Sequence, residues 1–346
     1  MRVSRLETRG ARARRAGVAT AIAALMGTTG PFVAAGQSPA SSKVQYGVSL
    51  FESGDYAAAK ATLSSSAREG NGAEVAFYLG RIAVIEDRPE EAVAFFERAI
   101  KADGGRTDYH LWLGIALGLQ AREAGRFRQA MLAGRARGEF ERAVALDPRN
   151  VGAREGLVQF YSIAPGIAGG SMRRAREHAT EIARVSPMRG HIASGMILER
   201  EKNVAGAERE YLAAAAVSPD SAAPYMALGA LYQRIARWGA AFEAYQRALA
   251  LPGAAFPEQL SAHYQFGRTG ALSGERLDDS ERSLKRWMER APPGTSPRRV
   301  ARTRARLGMV YVRQGRNDLA RTEFEAALKL NPRDVDAREG LAKLPR

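Results

Sequence analysis

The sequence predicts an all-α protein built from about eight repeated helix pairs. A bulky residue followed by glycine recurs along the chain, and the first three of these glycines are 33 and 34 residues apart. A pattern of alanine, bulky residue and alanine follows, as in Ala320, Phe324 and Ala327. The recurring dipeptides are Tyr46-Gly47, Leu79-Gly80, Leu113-Gly114, Leu228-Gly229, Phe266-Gly267 and Leu307-Gly308. Prolines then close the units, because a ring without an N–H ends a helix: Pro148, Pro187, Pro219, Pro252 and Pro332.

Composition agrees with a helical chain that is held together by packing alone. The 346 residues are 45% hydrophobic with only 15 prolines, and the abundant Ala, Leu, Glu and Arg favour helix over strand. The absence of cysteine excludes disulfides, thiolate metal sites, cysteine nucleophiles and a lipidated cysteine anchor.

The first 35 residues have the pattern of a signal peptide. Six arginines and one glutamate precede Gly17, and a run of uncharged residues follows, interrupted by Pro31. Small residues at Val33 and Ala35 predict cleavage after Ala35 and a periplasmic or otherwise exported protein. An uncleaved anchor and a cytosolic chain with an apolar start remain alternatives. No later run is long and apolar enough for a transmembrane segment once the leader is removed.

Positive charge predicts acidic partners. The formal charge is +15, of which the leader contributes +5, so residues 36–346 carry about +10. Because an exported protein seldom meets nucleic acid, acidic protein segments or anionic envelope polymers are the expected partners. A solvated arginine-rich surface is the alternative.

Residue sizes recur together with the period, as expected for antiparallel helix pairs that bury a continuous core only by stacking. The pattern resembles the tetratricopeptide-repeat family, and the copy that begins at Ala301 matches it best. This copy has Leu307, Gly308, Tyr311, Ala320, Phe324, Ala327 and Pro332, and further copies begin at Met188 and Ala222. The resemblance implies a right-handed α-solenoid over residues 36–334, followed by a C-terminal capping helix within 335–346.

Irregular units are expected near residues 107–187 and 257–300. About ten extra residues follow Gly114 and predict lengthened helices or a charged protruding loop. In the seventh unit, Asp279 and Ser283 stand where alanine and an aromatic residue are expected, so we expect this unit to pack least well.

Catalytic and metal-binding patterns are weak, which predicts a protein that is not an enzyme and has no cofactor. His110, His191 and His263 fall at one packing position of different repeats, too far apart to share a metal. The turn 165–171 is glycine-rich and could bind an anion, but Ser171 as the cap of the following helix is the favoured interpretation.

The resemblance also implies a binding groove, because first-helix positions 2, 5, 9, 12 and 13 line the concave face in this family. We expect arginines there to be exposed and to grip carboxylates, beside adaptable methionine and an aromatic side chain. The lysine and asparagine of the family's carboxylate clamp do not occur at the matching positions. The residues placed on this groove, with Arg306 beside it, are Met196, Arg200, Met226, Arg234, Tyr264, Arg268, Arg302, Arg306, Met309 and Arg313.

These observations predict a scaffold or adaptor of the bacterial cell envelope that binds proteins or peptides. Two alternatives remain at this point, a transporter-associated protein that encloses a small solute and a regulatory domain bound to one enzyme. The oligomeric state and the identity of the partner do not follow from the sequence.

Overall fold

The predicted fold class is confirmed by the computed structural model, which describes residues 39–66, 72–251 and 256–345. The predicted leader, residues 1–35, lies outside them. The described residues form seventeen α-helices and no strand. They follow one another as consecutive helix pairs, and the last helix stands alone after the eighth pair.

The chain divides into two compact units. The first comprises the described residues up to Asn203 together with 292–295, and the second comprises the rest from Val204 onward. The helices of the first unit are α1 (Pro39–Glu52), α2 (Tyr56–Ser66), α3 (Gly72–Ile85), α4 (Pro89–Ala102), α5 (Thr107–Glu123), α6 (Arg126–Leu146), α7 (Val151–Ile163), α8 (Met172–Val185) and α9 (Pro187–Arg200). Those of the second are α10 (Val204–Val217), α11 (Ala222–Arg234), α12 (Trp238–Ala250), α13 (Phe256–Ser273), α14 (Leu277–Arg290), α15 (Pro297–Arg313), α16 (Asn317–Leu330) and α17 (Val335–Ala342).

The recurring glycines let the two helices of a pair approach closely. A Cβ atom on Gly229 would lie 2.5 Å from the ring of Tyr245, and one on Gly308 would lie 2.6 Å from the ring of Phe324. Real Cβ atoms do not come this close to ring carbons, so the aromatic side chain occupies the space that a larger residue would need. The bulky residue and the glycine are therefore two halves of one packing contact.

The extra residues of the third unit lengthen its helices. Helix α5 has 17 residues and α6 has 21, and only Ala124 and Gly125 separate them. Of the two predicted forms, lengthened helices and a protruding loop, the structure therefore has the first.

The seventh unit corrects the predicted register. Leu284, not Ser283, fills the space beside Gly267, because it follows that glycine by 17 residues where Phe324 follows Gly308 by 16. Asp279 lies partly exposed and binds Arg276. Leu284 and Trp287 are almost completely buried, so the unit has a packed core, and its rank among the units stays a prediction.

The last helix covers the end of the second unit. Asp334 accepts a hydrogen bond from the backbone N–H of Ala337 at 3.0 Å and so caps the start of α17. Ala337 is completely buried in the cluster that contains Leu307 and Phe324. A Cβ atom on Gly340 would lie 2.3 Å from the ring of Phe324, so α17 packs tightly against this aromatic side chain.

Within the described ranges, no helix combines the length and the apolar character needed to cross a membrane.

Candidate functional site

The ten predicted groove residues are divided between the two units. Met196 and Arg200 lie on α9 of the first unit. The other eight lie on α11, α13 and α15, which are the first helices of three successive pairs in the second unit. Arg234, Arg268 and Arg306, one on each of these helices, are called the arginine row below. Charge interactions link Arg234 to Arg268 and Arg268 to Arg306.

Arg268 is the central member of the row and is bonded to amide groups instead of a carboxylate. Its guanidinium donates to the side-chain oxygen of Gln233 and, at 3.4 Å, to that of Gln265. Gln233 in turn donates to the hydroxyl of Thr269 at 2.8 Å, which holds this amide in place. Burial, together with the positive charge of Arg306, lowers the pKa of Arg268.

Tyr245 lies on α12, the second helix of its pair, and interacts electrostatically with Arg268 and Arg234. Its ring is completely buried against Gly229, and its hydroxyl has no hydrogen-bond partner among the described residues. Burial raises the pKa of this phenol, while the charges of Arg268 and Arg234 act in the opposite direction. Burial also lowers the pKa of Arg234, and so does the neighbouring charge of Arg268.

The arrangement favours a bound anion. Two arginines of like charge lie in a desolvated place beside a buried hydroxyl that lacks a partner, which is electrostatically unfavourable when nothing is bound. A carboxylate would relieve the repulsion and accept a hydrogen bond from the phenol. Perturbed groups of this kind are enriched at functional sites.

Arg306 is held inside the protein, and the expectation that it is exposed is wrong. Its side chain is 13% exposed and donates to Asp336 of α17 at 2.8 Å and to the sulfur of Met309 at 3.2 Å. Burial opposes its charged form, but Tyr264 and Asp336 outweigh burial and raise the pKa of Arg306. The pair joins α15 to the capping helix, so Arg306 acts first as a structural residue.

Arg313 and Arg302 lie on the same helix in different surroundings. Arg313 donates to the backbone carbonyls of Ala271 at 3.0 Å and Leu272 at 2.9 Å, near the end of α13. It therefore satisfies carbonyl groups at a helix C-terminus. Arg302 is half-buried, and no hydrogen bond or ion pair joins it to the rest of the described chain.

The remaining predicted residues supply the apolar and aromatic surface. Met226 is buried in the core of its pair, whereas Tyr264, Met309 and Met196 are half-buried. Arg200 is exposed and has an interaction within the chain. The partner-binding role of all ten residues stays a prediction.

The glycine-rich turn of the first unit is a helix cap. The hydroxyl of Ser171 accepts from the backbone N–H of Arg174 at 3.3 Å at the start of α8. The backbone N–H groups of residues 168 to 171 all donate to carbonyls of residues 161 to 166. Because these donors are used internally, they are not available to an anion.

His110 likewise has a structural environment. Its Nδ1 lies 2.6 Å from Glu139 Oε2, and its Nε2 lies 3.2 Å from the carbonyl of Gly104. In the part of the chain that the structure describes, no group of three or more His, Asp and Glu residues could hold a metal ion.

Sequence reasoning missed Tyr245, Gln233 and Asp336. One signal was available for the first: this repeat carries tyrosine at the packing position where others carry Phe96 and Phe324. Phenylalanine would fill this packing position equally well, so the additional hydroxyl of tyrosine indicates a polar role.

The comparisons with known proteins agree with this geometry. Residues 47–107 and 306–344 match a family model described as the tetratricopeptide repeat. These two segments are therefore of tetratricopeptide-repeat type. The comparison with curated proteins gave no match.

Solved structures of tetratricopeptide-repeat type resemble the fold. The crystal structure of yeast Tom70 is 15% identical with a TM-score of 0.67, covering 93% of this chain and 68% of that one. A chain of the APC/C hetero-tetramer Cut9-Hcn1 is 16% identical with a TM-score of 0.47, covering 82% of this chain. This chain spans only 58% of that Cut9-Hcn1 chain. A thermophilic repeat protein of Thermus thermophilus is 17% identical with a TM-score of 0.42, covering 66% of this chain and 98% of that one.

At these identities the likeness concerns the fold alone. Tetratricopeptide-repeat proteins are generally scaffolds for protein–protein contacts without catalytic activity. The repeat fold of this chain therefore suggests a protein-binding scaffold.

Proposed function

We propose that the protein is a scaffold or adaptor of the bacterial cell envelope that holds an acidic segment of a partner protein on its arginine row. The observation that carries the proposal is the placement of Arg268 and Arg234 beside the buried hydroxyl of Tyr245, which has no partner in the described chain. Two buried positive charges that act on one buried hydroxyl suit a carboxylate. The leader-like pattern of residues 1–35 supports the envelope.

Arg302 completes the proposed surface. It lies on α15 one helical turn before Arg306, and it makes no bond with the described residues that would have to break before a ligand binds. Arg268 would hold one carboxylate in the buried part of the row, and Arg302 would bind a second acidic group nearer the solvent. The partner is therefore expected to carry acidic residues close together.

The test uses a fluorescent glutamate-rich peptide and the full chain. Arg302→Ala should weaken binding by at least about tenfold, since a hydrogen bond to a charged group contributes about 1.5–3 kcal/mol. Arg209→Ala on α10 is the control, because that arginine is exposed and, like Arg302, makes no described bond. Equal affinities for wild type and Arg302→Ala, or an equal loss with the control, would contradict the proposal.

A further inference from the structure

The first unit has an exposed apolar segment at the start of α6 that binding in the proposed groove does not explain. The first six residues of α6, Arg126 to Met131, are exposed on all sides because the lengthened helix extends beyond its neighbours. Phe127 is 89% exposed and Met131 is 52% exposed. An aromatic side chain this exposed contributes nothing to the core of the repeat.

Two more apolar side chains lie at the same end of the stacked helices. Ile163 ends α7, and Ile167, which is fully exposed, lies in the turn between α7 and α8. Among the large hydrophobic side chains that the structure describes, Ile167 and Phe127 are the two most exposed. Because first helices of successive pairs run in the same direction, the α5–α6 turn and the α7–α8 turn come at one end.

Contacts between α6 and the turn that joins α7 to α8 show where the two parts of this surface lie. The guanidinium of Arg137 on α6 lies 5.4 Å from the ring centroid of Phe160. A Cβ atom on Gly169 would lie 2.8 Å from the same guanidinium. Phe127 precedes Arg137 by ten residues, which is about 15 Å along the helix axis. The turn between α7 and α8 therefore lies beside the middle of α6, and Phe127 and Met131 lie toward the start of the same helix.

The charge around these side chains is positive. Arg126 and Arg128 flank Phe127, and both are exposed and unpaired within the described ranges. Arg135, one turn beyond Met131, is paired with Glu97 at 2.6 Å. Exposed apolar side chains between free arginines match the chemistry of helices that lie in the interface of an anionic membrane.

We propose that this edge, formed by Phe127, Met131, Ile163 and Ile167 with Arg126 and Arg128, docks on the surface of an anionic phospholipid bilayer. The apolar side chains enter the headgroup region, and the two arginines bind lipid phosphates. A lipid surface fits better than a protein because the exposed side chains are apolar and are flanked by arginines that are unpaired within the described chain and complement anionic headgroups. This inference is independent of the proposed groove.

The absence of cysteine allows a site-specific test in the full chain. An environment-sensitive fluorophore is attached to Phe127→Cys, to Ile167→Cys and, as a control, to Leu212→Cys. Leu212 is also an exposed apolar residue, at 51%, but lies on α10 of the second unit. The probes are vesicles of phosphatidylcholine with phosphatidylglycerol, and vesicles of phosphatidylcholine alone.

A blue shift is expected at positions 127 and 167 with the anionic vesicles and at neither position with the neutral ones. Adding Arg126→Gln and Arg128→Gln should weaken the response by at least about tenfold, because each arginine near the surface attracts anionic lipid and also orients the helix. If the fluorescence shifts at neither position 127 nor position 167, the proposal is overturned, and a protein partner becomes the expected ligand of this edge. An equal shift at position 212 would also overturn it, since the leader or nonspecific adsorption would then explain binding.

Discussion

Arg302, Arg306 and Arg313 lie on one helix, and their surroundings decide what each can do. Asp336 neutralises Arg306, and the carbonyls at the end of α13 occupy Arg313. Arg302 alone among these three makes no described bond. Spacing along a helix predicts the face on which a side chain lies, but it does not reveal a partner that comes from another helix.

Tyr245→Phe should separate binding from folding. The hydroxyl is buried and has no partner among the described residues, so its removal should leave the thermal unfolding temperature unchanged or raise it slightly. Binding of the glutamate-rich peptide should weaken severalfold, because the phenol no longer donates to the carboxylate. Anisotropy titration and thermal melting of both proteins measure the two effects, and unchanged affinity would remove Tyr245 from the site.

Arg306→Ala should lower stability rather than binding alone. It leaves Asp336 without its partner and removes contacts between α15 and α17, at a cost of about 1–3 kcal/mol in the free energy of unfolding. Denaturant unfolding measures this value, and Arg302→Ala is the control on the same helix. If both variants unfold like the wild type, the pair with Asp336 makes no net contribution to stability.

At the scale of helices, each pair is built around one glycine and one bulky side chain. Gly80 with Phe96, Gly229 with Tyr245 and Gly308 with Phe324 share a spacing of 16 residues. The seventh unit has a spacing of 17 and uses Leu284, and its α14 begins after Arg276, whose φ of 47° is left-handed. The turn absorbs the additional residue, so the helix still presents a bulky side chain to its glycine.

Leu307→Arg should unfold the end of the second unit and leave the first unit folded. Leu307 is 1% exposed within the last core cluster, so an arginine there would bury an unpaired charge at a cost of several kcal/mol. Repeats contact mainly their neighbours, which should confine the loss of hydrogen-exchange protection to residues beyond about Leu260.

Val312→Arg is the matched control for this variant, because Val312 lies on the same helix and is exposed. It should retain the exchange pattern of the wild type. Loss of protection across the whole chain in Leu307→Arg would show instead that all repeats unfold as one cooperative unit.

At the scale of the whole molecule, the first 35 residues have a basic and apolar pattern that differs from the pattern of the repeats. We therefore expect them to direct export and to be removed, giving a mature protein that begins near Gly36. Mass spectrometry of the envelope fraction should find this N-terminus. Recovery of only the full-length chain from the cytosol would contradict both export and the envelope role proposed above.

The number and order of the helix pairs followed from the sequence alone. A glycine and its aromatic partner lie within one pair, so each contact is local and is repeated along the chain. The cap at Ser171 was also predictable, because capping depends on residues adjacent in sequence.

The tertiary structure alone determined which partners the long polar side chains have. Arg306 is paired with Asp336, 30 residues later, and Arg268 is bonded to Gln233, 35 residues earlier. The proposed binding role for the hydroxyl of Tyr245 became evident only from the tertiary structure, in which two arginines from neighbouring helices act on it electrostatically. Burial and charge at such sites depend on side chains from several helices at once. The helical period of the sequence does not specify these contacts between helices.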